Sequence, residues 1–477
     1  MSDLMTQWGE STEESHLFEE HLRPQLQRES IVSLNGMWDY AIEAMDARED
    51  ASVFPSKRDG QILVPFSPET KLSKVNRNLQ PGEYLWYRRS FYYRDQDMRT
   101  LLHFDAVDQC CDLYINSKKV FSHIGGYLPF CVDVTEEMHP GENEIALRVT
   151  DGTDTNYHAR GKQKLVPSGM FYTAQSGIWQ SVWAEYVPKV YITSVELNPM
   201  LSPDRIQMIV HTNTKEPQPV NIKIYTPKIY DTDTEVSTDV LLTSEETGDA
   251  LFSIPIGDCH YWTPETPYLY YMDITLSTGD SVRSYFAMRS FSLQTQPDED
   301  FPRLCLNGEP YFQQGVLDQG YWPESLMTPP RDEAMVWDLK EMKRTGYNMV
   351  RKHIKIEPER WYYHCDRLGL IVWQDMVNGG GPLKQWFVTY AATPLSIKRV
   401  RVSDKMYHLM SRSDKQGQLE FKNEMIATIR LLKNHPSICT WVIFNEGWGQ
   451  FNTTRLTMLA KKTDPYRLID QASGWFD

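Results

Sequence analysis

The order of apolar and polar residues divides the chain into two β-rich regions followed by a region of alternating strands and helices. Between residues 35 and 188, short segments of alternating polarity, such as 111–116 and 143–149, are separated by turn residues, and helical spacing is absent. Many short strands at regular intervals are typical of an antiparallel sandwich. We therefore predict an N-terminal segment and a jelly-roll domain over residues 1–188.

A second β-rich region follows. Residues 191–293 contain about seven segments of strand-like alternation, among them 206–210, 220–225 and 269–275. Seven strands in about 100 residues suit an immunoglobulin-like β-sandwich. We assign this domain to residues 189–295.

The pattern changes after residue 296 to strands that alternate with helices. Strand-like runs at 311–317, 347–350, 370–373, 441–444 and 468–469 are separated by helical spacing at 331–345, 358–368, 418–432 and 454–462. This alternation indicates right-handed βα units on a parallel sheet. We predict about five strands of a (β/α)8 barrel over residues 296–477, three fewer than a closed barrel needs.

The stretch from Thr440 to Gly449 is the strongest candidate for chemistry. An apolar run ends in Asn445 and Glu446, which places an amide and a carboxylate at the C-terminal end of a parallel strand. Catalytic side chains of α/β barrels lie at this edge, and a carboxylate there can act as a general acid or base. The alternative is an Asn-Glu pair that caps the next helix. The nearby tryptophans, Trp441, Trp448 and Trp475, favour a sugar-sized site.

Composition narrows the range of partners. The chain of 477 residues carries 64 acidic and 49 basic residues and a formal charge of −15, which disfavours nucleic acid. Its 14 Trp and 26 Tyr suit a protein that stacks aromatic faces on sugars, although many will belong to the cores.

The cysteine content and the N-terminal sequence indicate the cellular location of the protein. Seven cysteines without a C-x-x-C pair do not form a disulfide framework, the N-terminus lacks a signal-peptide pattern, and no run of 18 apolar residues occurs. We expect a cytoplasmic protein with no membrane partner. The triplet His364-Cys365-Asp366 places its side chains on different faces of a helix, so we expect neither a metal nor a cofactor there.

Four stretches, together with the domain order, resemble one known family. These stretches are 306–312, 346–353, 365–373 and 434–446, and the last reads Asn-His-Pro-Ser-Ile-Cys-Thr-Trp-Val-Ile-Phe-Asn-Glu. They resemble glycoside hydrolase family two, which contains β-galactosidases, β-glucuronidases and β-mannosidases. The 434–446 stretch is similar to the family's acid/base signature.

The resemblance implies retaining hydrolysis by two carboxylates about 5–5.5 Å apart. It makes Glu446 the general acid/base, gives Asn445 a bond to the sugar 2-hydroxyl, and makes Arg351 the residue that positions the carboxylates. It places further residues at the substrate: His353 (or a solvent-exposed loop residue), Asp375 and Asp318 (or helix caps), and Trp448 and Trp475 (or packing residues). His158 and Arg160 of the jelly-roll are expected to reach over the barrel mouth.

The family's nucleophile is a glutamate at the end of the seventh barrel strand. No glutamate follows Glu446, and the later carboxylates Asp464, Asp470 and Asp477 do not match the nucleophile motif. We expect a truncated chain, a nucleophile beyond Asp477, and little hydrolysis by the chain as written.

Several alternatives remain open from the sequence. Family frequency favours a β-galactoside, with a β-glucuronide next, and a non-catalytic carbohydrate-binding or scaffold protein is the alternative from another class. The resemblance also allows a homo-oligomer. Residues 378–415 form an insertion that is either a substrate-covering loop or a structural loop.

Overall fold

The structure is a computed structural model that describes residues 4–93, 97–226, 237–248, 250–384, 386–398, 400, 402–446 and 449–474. Two antiparallel sheets of four and six strands form the first domain and enclose a core that includes Trp38, Leu85 and Leu147. This is the predicted jelly-roll. The smaller sheet contains, in spatial order, Ile31–Ser33, Val182–Val187, Arg99–Phe104 and Phe130–Asp133; the larger contains Gly60–Val64, Gly36–Ala44, Glu83–Tyr93, Gly141–Thr150, Cys110–Ile115 and Lys118–Ile124.

The second sandwich has seven strands among the described residues, as the alternation predicts. Inward-facing residues such as Met208, Ile222 and Met272 are fully buried between its two sheets. A small sheet of Phe291–Thr295, Pro302–Leu306 and Glu309–Pro310 leads from this domain into the barrel. The two sheets contain Ile192–Leu201, Asp204–Thr212 and Phe252–Pro255, and Ser237–Glu246, Pro219–Thr226, Tyr270–Leu276 and Ser281–Phe286.

The third region is a five-stranded parallel sheet with helices between the strands. The strands pair in chain order, which is the arrangement of successive right-handed βα units. The strands are β1 (Gly315–Asp318), β2 (Met349–Lys352), β3 (Ile371–Asp375), β4 (Ile438–Val442) and β5 (Leu468–Asp470), and the helices between them are α1 (Asp332–Arg344), α2 (Glu359–Leu368), α3 (Lys415–Leu432) and α4 (Thr453–Thr463).

Local sequence signals explain where the helices begin and end. Asp414 caps α3 by accepting a hydrogen bond from the backbone N–H of Gly417 at 2.8 Å. α2 ends at Gly369, whose φ of +74° suits a residue without a Cβ. Pro358, predicted to be the first residue of this helix, instead precedes it as the N-cap.

Two predicted strands are displaced. The strand predicted at 441–444 is β4, which ends at Val442; Ile443 and Phe444 are buried by packing, and the Phe444 ring stacks on Phe421 with 5.1 Å between centroids. The strand predicted at 311–317 is β1, which begins only at Gly315. Tyr311 instead donates its backbone N–H to Leu304 of the preceding hairpin at 2.9 Å.

The jelly-roll and the barrel share one core. Trp179 and Tyr127 of the jelly-roll are buried in the same cluster as Ile356 of the barrel and Phe421 of α3. Within the residues described, no helix combines the length and the apolarity required to span a membrane. This shared core fixes the jelly-roll against the C-terminal edge of the parallel sheet, where the candidate site lies.

Candidate active site

A cavity of about 400 Å³ opens at the C-terminal edge of the parallel sheet. This size is within the usual range for small-molecule sites. Its barrel side combines charged and polar groups with apolar ones, and its members are Leu317, Arg351, His353, Ile354, Asn445 and Glu446.

Glu446 projects into this cavity from the turn that follows β4. Its φ of +54° is in the left-handed region, a conformation that costs about 1–2 kcal/mol for a residue with a side chain. The backbone of Ser473 stabilises the turn, since it accepts from the Glu446 N–H at 2.7 Å and donates to Phe444 at 3.0 Å. A Cβ on Gly474 would lie 3.2 Å from Glu446 Cγ, so glycine there leaves room for the carboxylate.

Arg351, at the end of β2, fixes the amide of Asn445. Its Nη2 donates to Asn445 Oδ1 at 3.0 Å and to Ser473 Oγ at 2.7 Å, while its Nε donates to Asp375 Oδ1 at 2.8 Å. Because the amide oxygen accepts from Arg351, the amide nitrogen of Asn445 keeps two N–H donors that have no partner among the described residues. Those donors are available to a ligand hydroxyl.

Asp375 supports this arrangement from below. It is 1% exposed, and its carboxylate also contacts His353 Nδ1 at 2.8 Å. One buried carboxylate therefore holds two cavity-lining side chains, Arg351 and His353. Asp375 does not line the cavity itself.

Asp318, which the resemblance places at the substrate, forms a salt bridge outside the cavity lining. Its carboxylate pairs with Lys352 Nζ at 2.7 Å, and Lys352 also contacts Glu357 at 2.8 Å. Burial alone would lower the pKa of Lys352, but the two carboxylates outweigh burial and raise it above its usual value. Leu317, and not Asp318, lines the cavity.

The opposite wall comes from the jelly-roll. Arg160 donates to the carbonyl of Gly380 at 2.6 Å, and the backbone N–H groups of Arg160 and Gly161 both donate to Asn378 O at 2.9 Å. The expectation that Arg160 reaches over the barrel mouth is confirmed. The jelly-roll residues that line the cavity are Arg160, Gly161, Lys162, Met170 and Phe171.

His158, the other jelly-roll residue expected there, lies outside the cavity lining. Its Nδ1 contacts Glu420 of α3 at 2.7 Å, so it joins the jelly-roll to a barrel helix. The expectation for His158 is therefore wrong, because its ring is held at the domain interface and not at the barrel mouth.

Lys162 is a cavity residue that the sequence did not indicate. It is partly buried; burial lowers the pKa of its ammonium group, and the Glu446 and Asp375 carboxylates act in the opposite direction. No spacing rule marks Lys162, Met170 or Phe171, because their position depends on how two domains pack.

The loop after β3 completes the cavity through Asn378, Gly379 and Leu383. Its approach to the jelly-roll is close, since a Cβ on Gly379 would lie 2.3 Å from His158 O. The beginning of the predicted insertion is therefore a wall of the site. Trp448, Trp475 and Asp477 lie outside the described residues.

The triplet considered for a metal has separate partners. His364 contacts Asp332 at 2.9 Å, Cys365 is buried, and Asp366 accepts from Tyr285 at 2.7 Å. Among the described residues, no group of three or more His, Cys, Asp or Glu side chains is placed to hold a metal ion.

Three family models match successive parts of the chain. They are the sugar binding domain of glycosyl hydrolases family 2 (residues 31–184), glycosyl hydrolases family 2 (190–289) and the TIM barrel domain of the same family (328–475). The chain belongs to glycoside hydrolase family two. The fold class predicted from the sequence is thereby confirmed, with an incomplete barrel within the chain.

Two bacterial β-galactosidases are among the relatives of this chain. A β-galactosidase of Photobacterium profundum is 26% identical over 383 residues, which is 78% of this chain and 34% of that protein. A β-galactosidase of Thermoanaerobacter pseudethanolicus is 26% identical over 299 residues, which is 61% of this chain and 39% of that protein. The chain thus spans well under half the length of these curated relatives.

Solved structures of the family share the fold. The β-D-glucuronidase of Dictyoglomus thermophilum superposes with a TM-score of 0.69 at 19% identity over 94% of this chain and 73% of that one. The β-galacturonidase of Eisenbergiella tayi, bound to galacturonate, gives 0.67 at 20% identity over 93% of this chain and 71% of that one.

Proposed function

We propose that these residues belong to a retaining exo-β-glycosidase that hydrolyses the O-glycosidic bond of a terminal sugar. One observation supports this most directly: Glu446 and Asn445 face a sugar-sized cavity, and Arg351 and Asp375 hold the amide in a fixed orientation. A β-galactoside is the first substrate class and a β-glucuronide the second, and both kinds of enzyme occur among the relatives and neighbours.

In the proposed mechanism Glu446 is the general acid that protonates the glycosidic oxygen and then the base that activates water. The N–H donors of Asn445 bond the sugar 2-hydroxyl, and Arg351 keeps them aimed at it. The nucleophile is a second carboxylate, which we place beyond Asp477 because no glutamate follows Glu446. His353 is proposed to contact the substrate from the cavity wall, and Asp375 acts indirectly by orienting Arg351 and His353. Trp448 and Trp475 are proposed stacking residues.

The test uses the protein expressed from its full reading frame, with Glu446→Gln and the surface variant Glu333→Gln as its control. We expect Glu446→Gln to lose at least about a hundredfold in kcat on a disaccharide, whose leaving group needs protonation. Nitrophenyl glycosides should lose less, and added azide should restore part of their turnover. Turnover of the disaccharide at the control's rate would refute the role of Glu446.

A non-catalytic carbohydrate-binding protein is the second candidate. The observation that favours it is that Glu446 is the one carboxylate on the cavity wall within the described residues. Sugar binding without hydrolysis by the product of the full reading frame would support this candidate and exclude the first.

Three further statements are proposals of the same kind. We propose domain limits at 188/189, between the strands Val182–Val187 and Ile192–Leu201, and at 295/296, between the paired strands Phe291–Thr295 and Pro302–Leu306 of the small linking sheet. A cytoplasmic location fits seven unpaired cysteines. A homo-oligomer is the third proposal, and sedimentation analysis tests it.

A further inference from the structure

Lys162 differs from the other cations at the cavity. Arg351 is paired with Asp375, and Arg160 donates to the carbonyls of Gly380 and Gly381. In the described part of the chain, the Lys162 ammonium group has neither a carboxylate within 4.0 Å nor a hydrogen-bond acceptor. It lines the same cavity as Glu446, so a sugar bound in that cavity can lie close to both residues.

The backbone around Lys162 is held firmly. Its carbonyl accepts from Tyr172 N at 2.9 Å, and the next residue, Gln163, donates from its side chain to Asp108 at 2.8 Å. On the other side, Gly161 has a φ of +59°, and a Cβ there would lie 3.0 Å from Ile354 O. The ammonium group is therefore carried on a backbone that is fixed against the barrel before a ligand arrives.

We propose that Lys162 binds the carboxylate of a terminal uronic acid, so that the cavity selects β-uronides over neutral β-glycosides. On this inference the uronide ranks ahead of the β-galactoside as the substrate class of the proposed glycosidase. The inference rests on the proposed function, since it concerns the same sugar site. An ammonium group that is partly buried and has no counterion among the described residues gains more from an anionic ligand than from a hydroxymethyl group. The reason is that hydrogen bonds between charged groups are about twice as strong as neutral ones.

Sugar-binding measurements can distinguish carboxylate binding by Lys162 from a role in charge compensation alone. If Lys162 served only to offset the charges of Glu446 and Asp375, its loss would change the binding of neutral and acidic sugars alike. A carboxylate-binding role changes the binding of the acidic sugar alone. Paired ligands that differ only at C6 separate the two roles.

The experiment is calorimetric titration of the protein expressed from its full reading frame with methyl β-D-glucuronide and methyl β-D-glucoside, and with the corresponding galacturonide and galactoside. We expect the wild-type chain to bind at least one uronide about tenfold more tightly than its neutral partner. Lys162→Met should abolish that preference while leaving the neutral sugar's affinity within about twofold. Lys162→Arg should keep most of the preference, since it keeps the charge.

The matched control is Lys118→Met, on another strand of the jelly-roll, where the exposed ammonium group pairs with Glu137 at 3.3 Å and does not line the cavity. It should retain the preference for the uronide. Melting temperatures equal to that of the wild type show that each variant is folded.

The outcomes are distinguishable. Equal wild-type affinity for acidic and neutral sugars, or a preference that survives Lys162→Met, overturns the inference and leaves the proposed glycosidase standing. Failure to bind any of the four sugars overturns both. A further ligand, 4-carboxyphenyl β-D-glucoside, carries its charge on the aglycone. If it binds more tightly than the uronides, the carboxylate that Lys162 binds is not that of the terminal sugar, and the inference is overturned.

Discussion

Asp375 is the residue on which the site's geometry depends most. It contacts both Arg351 and His353 from a position that is 1% exposed, so each of these side chains takes its orientation from one carboxylate. The family resemblance predicts that Asp375 lies at the substrate. In the structure its carboxylate lies beneath the cavity lining, in contact with Arg351 and His353.

We expect Asp375→Asn to destabilise the barrel by about 3–5 kcal/mol, because it removes the counterion of a largely buried guanidinium group. The measurement is the urea midpoint of the barrel's fluorescence transition. Glu341→Gln, which breaks an exposed pair with Arg344 on α1, should cost less than about 1 kcal/mol. Equal effects of the two substitutions would contradict the anchoring role of Asp375.

The sequence predicts the residues that belong to strand ends and misses those that arrive from elsewhere. Glu446 and Asn445 are predicted because the C-terminal ends of parallel strands meet at one edge, which is a rule of local order, whereas the prediction of Arg351 comes from the family resemblance. Ser473 and Lys162 were not identified. Their contacts depend on a turn after β5 and on the packing of another domain, and no spacing in the chain encodes either.

At the scale of elements, the predicted helices agree with the structure to within a few residues, whereas two strands are shifted. A run of apolar residues indicates which residues are buried, but not which of them pair in a strand. Ile443 and Phe444 are buried although the hydrogen-bonded pairing of β4 ends at Val442. Asn445 and Glu446 line the cavity at the end of this buried run, three and four residues after the last residue of the β4 ladder.

The loop after β3 offers a sharp test of the domain contact. Gly379→Ala would place a methyl group 2.3 Å from the backbone oxygen of His158, whereas Gly381→Ala would meet its nearest neighbour at 3.8 Å. Overpacking against backbone costs about 1–3 kcal/mol. We expect Gly379→Ala to lower the melting temperature and weaken sugar binding at least about tenfold.

Gly381→Ala is the matched control and should leave both properties close to those of the wild type. Differential scanning fluorimetry and calorimetric titration measure the two effects. A tolerated Gly379→Ala would mean that the loop and the jelly-roll are not in contact in solution.

At the scale of the whole molecule, the interface between the jelly-roll and the barrel contains a carboxyl group that responds to pH. Glu424 of α3 is partly buried, with its Oε1 atom inaccessible beside Gly125, and burial together with the nearby Glu420 raises its pKa from 4.5 to about 8. Between these two values the folded chain keeps a proton that the unfolded chain has released. Stability should therefore fall as pH rises from about 4.5 to 8, by at most about 1.4 kcal/mol per pH unit for this group.

Glu424→Gln imitates the protonated side chain at every pH. Its melting temperature relative to the wild type should rise steadily between pH 5 and pH 8, as measured by differential scanning fluorimetry at matched ionic strength. A difference that does not change with pH would show that Glu424 is already ionised in the folded protein.

The order of the three domains followed from periodicity alone, because alternation of period two and of period 3.6 reports local geometry that each segment imposes on itself. The packing of the three domains against one another could not be predicted from this periodicity. The buried contacts of Trp179 and Tyr127 with the barrel join residues more than 100 positions apart. An apolar residue in a sequence indicates that its side chain is buried, but not which distant residues bury it.

The position of Lys162 and Arg160 on the jelly-roll has a consequence for the order of events during synthesis. Ribosomes add about 5–20 residues per second and domains fold as they emerge, so roughly 280 residues and on the order of 15–60 s separate Lys162 from Glu446. The jelly-roll side of the cavity is therefore synthesised before the barrel side. The nascent barrel thus folds against a finished surface, and defects in that surface will appear first as a lower yield of active protein per chain translated.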